Sequence, residues 1–305
     1  MDQIERNLLK EIADIEKTPQ GAYNLRANGK KAERKTTANI DIVSKPDKDG
    51  IDIIIKANTK NESVHIPVVI TQSGLKDVVY NDFYVGKNAD VTIVAGCGIH
   101  TPSCGDSQHD GNHRFFLEEG AKVKYIEKHY GSGEGTGKRI LNPVTEVHLK
   151  KGASLEMESV QIKGVDSTIR ETIGKLDEDS SLVVKEKIMT HGDQFAKTVF
   201  NVELNGKNSS TNVVSRSVAK DNSTQDFISK IIGNEECFGH VECDAIIMDN
   251  AVVKSTPEIV AANIDAALTH EAAIGKIAGE QLKKLMTLGL TEHEAEEQII
   301  SGFLK

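Results

Sequence analysis

Between about residues 38 and 268 the chain alternates apolar and polar positions with a period of two, in short runs separated by turn-forming residues. The runs include IDIVS (40–44), IDIIIK (51–56), VHIPVVIT (64–71), DVTIVAG (90–96), AKVKYIEKH (121–129), TEVHLK (145–150), ASLEMESVQI (153–162), SLVVKEKIM (181–189), TVFNVEL (198–204) and TNVVSRSV (211–218). Each reads as a β-strand with one buried face. Helical spacing is confined to the two ends. Residues 2–18 place Ile4, Leu8, Leu9, Ile12 and Ile15 on one face of a predicted helix that Pro19 and Gly21 terminate. Near the other end, residues 279–288 align Leu282, Leu285 and Met286, and Gly289 stands where a C′ glycine closes a helix. A second helix follows, with Thr291 and Glu294 spaced as a capping box and Ala295, Ile299 and Phe303 at steps of four.

A small unit recurs inside the alternating region, a turn residue and a small residue followed by a strand. It appears at Gly120-Ala121, Gly152-Ala153, Asp179-Ser180 and Asn208-Ser209, with intervals of 32, 27 and 29 residues. A repeat of this length implies stacked units, because one unit cannot bury its apolar face without a neighbour. The irregular interval and the lack of blade signatures favour a β-solenoid over a propeller. The expected organisation is an N-terminal helix and linker over 1–35, a solenoid core over 36–268 and a helical region over 269–305. Two short helices cannot bury both their faces, so they are expected to pack on the solenoid, on a partner, or on both.

Composition narrows the chemistry. Only 4% of the 305 residues are aromatic and Trp is absent, so the interior must be thin layers of Val, Ile, Leu and Ala. The 46 acidic residues exceed the 37 Lys and Arg, a net charge of −9, which argues against a protein that mainly grips nucleic acid or anionic lipid. The basic run at residues 29–35 (GKKAERK), with no aromatic interleaved, reads as a solvated loop. No window reaches 18 consecutive apolar residues and the start carries acids throughout, so a cytoplasmic protein without a membrane span is expected. Four cysteines in a chain this long do not make a disulfide framework; metal or thiol chemistry and simple burial are the alternatives.

Three segments could carry chemistry. Residues 131–139 (GSGEGTGKR) resemble a phosphate loop, but Ser132 falls where its first glycine should stand and Arg139 where a Ser or Thr is required, so a flexible loop is the better reading. Residues 97–113 gather Cys97, His100, Cys104, His109 and His113, ligand types suited to zinc or iron, although the spacing lacks the paired Cys-x2-Cys anchors of structural zinc sites. A polar surface loop is the alternative. The third segment, CFGHVECD at 237–244, is followed by His270-Glu271. If 241–247 is a strand, Glu242 and Asp244 share one face and Cys243 the other, which allows Cys243 to be a core residue.

The stretch from 269 to 304 resembles the end of the SufB/SufD family of iron–sulfur cluster assembly proteins, in His270-Glu271-Ala272, Glu280-Gln281-Leu282, Leu288-Gly289, Thr291-Glu292 and Gly302-Phe303. Cys243-Asp244, the strand after it and Thr256-Pro257 look like the family's Cys-Asp segment. The likeness runs from about residue 80 to the end.

The resemblance implies a mainly β fold, a right-handed parallel β-helix with short α-helical regions at both termini. It further implies a scaffold rather than an enzyme, carrying a transient Fe–S cluster whose ligands by position are Cys243, His270 and Glu271. Thiolate is the standard cluster ligand, and imidazole or carboxylate can complete a labile one. Family members pair through their β-helices and bind the SufC ATPase through the helical region, here through Leu282, Leu285, Leu288, Ile299 and Phe303. A homodimer is expected, since two copies of Cys243 and Glu271 across a two-fold axis supply four ligands; a SufB/SufD heterodimer is the other arrangement. Apoproteins that accept Fe–S clusters complete the implied partners. Two other readings stay open: a SufD-like structural partner with no cluster of its own, and a metal-dependent enzyme using Cys97, His100, Cys104, His109 and His113.

Overall fold

In Ser154–Lys163 burial alternates residue by residue, with Leu155, Met157, Ser159 and Gln161 inward and Glu156, Glu158 and Val160 outward. Ser181–Thr190 and Phe195–Leu204 repeat the alternation, as pleated strands with one covered face must. The computed structural model describes residues 2–13, 15 and 19–305.

The chain opens with α1 (Gln3–Ala13), followed by β1 (Ala22–Ala27), β2 (Lys30–Lys35), β3 (Ile40–Ser44), β4 (Gly50–Ile55) and β5 (Lys60–Ile70). Next come β6 (Lys76–Val85), β7 (Asp90–His100), β8 (Ser107–Leu117), β9 (Lys122–Ser132), β10 (Arg139–Leu141) and β11 (Val144–Leu149). The run continues through β12 (Ser154–Lys163), β13 (Ser167–Leu176), β14 (Ser181–Thr190), β15 (Phe195–Leu204) and β16 (Ser210–Ala219). It ends in β17 (Thr224–Gly233), β18 (Cys237–Ile247), β19 (Val252–Ala261), β20 (Ala266–Gly275), α2 (Gly279–Thr287) and α3 (Glu292–Phe303).

Successive strands fall alternately into two sheets, one ordered β2-β1-β5-β7-β9-β12-β14-β16-β18-β20 and the other β19-β17-β15-β13-β10-β8-β6-β4-β3, with β11 beside β10 between β8 and β13. Apart from the hairpins β1–β2 and β3–β4, every pairing is parallel. This is a β-solenoid of about eight turns, as expected. One apolar column runs through its interior, including Ile53, Phe83, Phe115, Val147, Leu182, Phe200 and Val213. The recurring turn unit is the corner of each coil. Gly120, Gly152, Asp179 and Asn208 all adopt positive φ between 57° and 68°, and the small residue after each is fully buried. Their backbone N–H groups donate to the next coil, from Gly120 to Lys151 O through to Asn208 to Glu236 O, which fixes the stacking register.

At the N-terminal side Leu8, Leu9, Ile12 and Ala13 of α1 pack against Tyr23, Leu25 and Val69. The helix lies so close to β7 that a Cβ on Gly96 would sit 2.5 Å from Ile12 O. The end of the predicted helix at 14 and 16–18 lies outside the described residues. At the C-terminal side Ile277 just before α2, Ile300 of α3 and Leu304 just after it pack against Val218 of the solenoid. Gly289 has φ +98°, and the Thr291–Glu294 capping box forms in both directions.

Several expectations are corrected. Residues 30–35 are the outermost strand of their sheet rather than a loop, and most of their side chains are exposed on that edge. Most of 97–113 is strand, with only 101–106 forming the turn. Residues 269–275 belong to β20, so helix begins at Gly279. The loop at 131–139 is ordered by stacking: Gly135 N–H donates to Thr101 O, and a Cβ there would meet Ser103 O at 2.2 Å. Its glycines serve close backbone approach, not a phosphate.

Candidate functional site

The segment 97–113 divides between lumen and surface. Cys97, His109 and His113 point inward from β7 and β8 and are at most 6% exposed. Cys104 is exposed in the turn, and His100 has its Nδ1 3.0 Å from Ser132 Oγ. The three inward residues share a cavity of about 20 Å³ with Glu127 and His129, room for about one water molecule. Gly111 opens it, because a Cβ there would lie 2.9 Å from His113 Nε2. His109 Nδ1 sits 3.1 Å from Asp77, which Arg26 also binds. Burial works against the Asp77 carboxylate, but the hydrogen bonds from His109 and Arg26 outweigh it and hold the pKa near 2. Burial also drives His113 down to about 4 and leaves its Nδ1 without a partner. It pushes the Cys97 thiol well up, helped by the negative Asp77 and Glu127. Among the described residues no three His, Cys, Asp or Glu side chains are arranged to hold a metal ion. The five residues therefore do not assemble into one site.

A polar file continues along the lumen from this cavity. Arg170 Nη1 is 2.5 Å from Glu127 Oε2 and its Nε is 3.5 Å from Glu186 Oε1. Tyr125 donates to Glu127 at 3.0 Å, while Thr198 and Ser215 donate to Glu186 at 2.9 and 2.8 Å. Burial would raise Glu127, but His129 and Arg170 hold it well below the usual range; at Glu186 burial prevails and its pKa is raised. Ser215 is in register with Cys243, so the file ends at that thiol. None of Tyr125, Glu127, His129, Arg170 or Glu186 stood out as a short motif. Their signal was parity: Val123, Tyr125, Glu127 and His129 alternate on one face, as do Leu182, Val184 and Glu186.

Cys243 lies inward on β18 and is 2% exposed, with Glu242 and Asp244 on the outer face, as period two required. Burial pushes its thiol up to about 11, with the Ser255 hydroxyl opposing. His270 is in register with Val241 and so faces inward, while Glu271 pairs with Glu242 on the outside. Cys243 and His270 thus share the lumen face and Glu271 does not. Both ring nitrogens of His270 are shielded yet lack hydrogen-bond partners among the described residues. Burial lowers its pKa, and His240 adds to the effect. On the outer face His240 Nδ1 is 2.9 Å from Thr269 Oγ1. Burial and the neighbouring Asp244 raise the Glu242 carboxyl.

These residues sit at the last coil. There β19 and β20 each pair on one side only and most of their residues are exposed, among them Ile259, Val260 and Ile274. In the helices Leu282, Ile299 and Phe303 pack partly on the solenoid, Leu285 is half-buried and Leu288 is 75% exposed. Among the described residues no helix is long and apolar enough to cross a membrane.

The fold and site define a parallel β-solenoid whose polar lumen ends in a thiol and an imidazole at an uncovered end. The profile of the "SUF system FeS cluster assembly, SufBD core domain" matches residues 83–303. An iron–sulfur cluster assembly SufBD family protein of Methanocaldococcus jannaschii is 29% identical over 257 residues, covering 83% of this chain and 79% of that one. One from Pyrococcus horikoshii is 31% identical over 237 residues, 77% of this chain and 71% of the relative. Another from Methanothermobacter thermautotrophicus is 27% identical over 238 residues, 77% of this chain but 57% of the relative. The chain belongs to the SufBD family of iron–sulfur cluster assembly proteins.

Proposed function

We propose that the protein is a cytoplasmic, non-catalytic scaffold on which an Fe–S cluster is built as transient cargo, working as a homodimer with a SufC-type ATPase. The observation that carries this reading is that the Cys243 thiol and the His270 imidazole, whose nitrogens have no hydrogen-bond partner among the described residues, share the lumen face of the adjacent strands β18 and β20 next to the end of the ladder. One chain offers too few ligands there, and Glu271 faces outward. A second copy against the β19 and β20 edges would double the donors and bring an outer-face carboxylate near a neighbour's site. Cluster binding requires Cys243 to lose its proton, which the positive charge of iron promotes. The finished cargo would pass to acceptor apoproteins.

Anaerobic reconstitution with iron and sulfide tests this. Visible absorption and EPR signals appear in the wild type and in Cys97→Ala/Cys104→Ala, and vanish in Cys243→Ala. Full absorption in Cys243→Ala would place the site elsewhere. The ATPase is proposed to dock on the exposed side of α2, at Leu285 and Leu288, with Leu282, Ile299 and Phe303 holding the helices to the solenoid. Leu285→Asp/Leu288→Asp should lose the ATPase in a pull-down while the chain stays folded.

A second reading, a structural partner with no cluster of its own in the manner of SufD, is favoured by one observation: the single chain assembles no three-ligand set among its described residues. Under it no variant changes the absorption, because none forms.

A further inference from the structure

The basic strand β2 and the turn at residues 45–50 wall a cleft of about 310 Å³ at the N-terminal side of the solenoid. It precedes the segment matched by the family profile. Six cations line it, Arg26, Lys30, Lys31, Arg34, Lys45 and Lys48, against one carboxylate, Asp49. Two of the cations are neutralised from behind. Arg26 is 2.6 Å from Asp77 and 3.4 Å from Asp49, and Lys45 binds Asp52 and Asp82.

The other four have no carboxylate partner among the described residues. Arg34 donates Nε to Asn24 Oδ1 at 2.8 Å and Nη1 to Ile42 O and Ser44 Oγ at 3.2 and 3.1 Å. All three acceptors are neutral, and its Nη2 donates to none of the described residues. Lys48 lies 4.3 Å over the Tyr80 ring. Lys30 and Lys31 are exposed on the edge strand. The floor of the cleft is Ile66, Val68 and Asn81. Asn81 is only 7% exposed.

We propose that this cleft binds a small ligand through a phosphate or polyphosphate group. Arginine presents a planar fork matched to oxyanions, and lysines add point charges around it. Arg34, offset only by the longer-range charge of Asp41, and three lysines without an ion pair among the described residues give the cleft a cationic lining that favours an anionic ligand. The volume is at the low end for a small-molecule site, and no aromatic side chain lines it, so the charged group rather than a base is what is recognised.

The test is calorimetric titration of the full-length protein with inorganic pyrophosphate, with sodium sulfate at matched ionic strength, citrate and a short single-stranded oligonucleotide as parallel arms. Pyrophosphate should bind one per chain and more tightly than the other three. A charge-assisted hydrogen bond contributes about 1.5–3 kcal/mol, so Arg34→Gln should weaken binding roughly tenfold or more. Lys30→Gln/Lys31→Gln alters only edge-strand side chains and should weaken it as well, which keeps the test decisive if Arg34→Gln misfolds. No pyrophosphate binding beyond the sulfate arm, or equal affinity in folded variants, would overturn the site. Tighter citrate binding would overturn the phosphate assignment, and tighter oligonucleotide binding the small-ligand reading.

Discussion

The two ends of the solenoid are built differently. At the N-terminal end antiparallel hairpins finish both ladders, and α1 buries Leu8, Leu9 and Ile12 on the outside of one sheet, although β2 and β3 still pair on one side only. At the C-terminal end β19 and β20 finish the ladders in parallel, with no further strand among the described residues stacked on them, and Ile259, Val260 and Ile274 remain exposed. Stacked repeats normally need a polar cap at each terminus, and an open parallel edge invites another chain. The end that carries Cys243 and His270 is the one finished by parallel strands rather than hairpins. Under the proposed function the candidate ligands lie next to the end where a second molecule would add, while α1 adds its buried contacts at the other.

The largest effect is expected at the N-terminal end. Ile12 is fully buried, and Ile12→Ala should lower unfolding free energy by about 2–5 kcal/mol in chemical denaturation. Ile274→Ala, on the open face, should change the stability of a dilute monomer by less than about 0.5 kcal/mol. Comparable losses at both positions in the monomer would erase the distinction.

The next effect is pH dependence. His113 has its pKa lowered to about 4 from 6.5, so folding favours the neutral ring. The unfolded chain binds the proton first, so this contribution is complete above about pH 6.5 and is lost as pH falls through 4. A shift of this size corresponds to about 3 kcal/mol over that window. His113→Leu should flatten the stability profile between pH 6.5 and 4. An unchanged slope would mean that the ring is not shielded as the cavity implies.

The strands legible in the sequence were those whose inward residues are apolar. Ser154–Lys163 and Phe195–Leu204 alternate plainly. Ser107–Leu117 and Ser167–Leu176 did not register, because their inward positions hold His109, Gly111 and His113 in one and Thr168, Arg170 and Thr172 in the other. The polar lumen therefore hid the strands that form it. The same cause made 97–113 look like a loop or a metal cluster, when Cys97 and His109 belong to facing sheets and Cys104 to a turn. At the candidate site, period two correctly set Cys243 apart from Glu242 and Asp244. The separation of His270 from Glu271 followed from register with β18, which the reading of a helical region from 269 concealed.

The smallest expected change in the isolated chain tests the comparison most directly, because Ile274→Lys should leave the monomer folded and alter only what it assembles with. Sedimentation velocity of the anaerobically reconstituted protein, detected at the visible absorption of the cluster, separates the outcomes. In the wild type the absorption should travel with a species of twice the chain mass, and in Ile274→Lys it should be absent from a folded monomer. A monomer that carries the full absorption would contradict the claim that the open end is completed by a second copy.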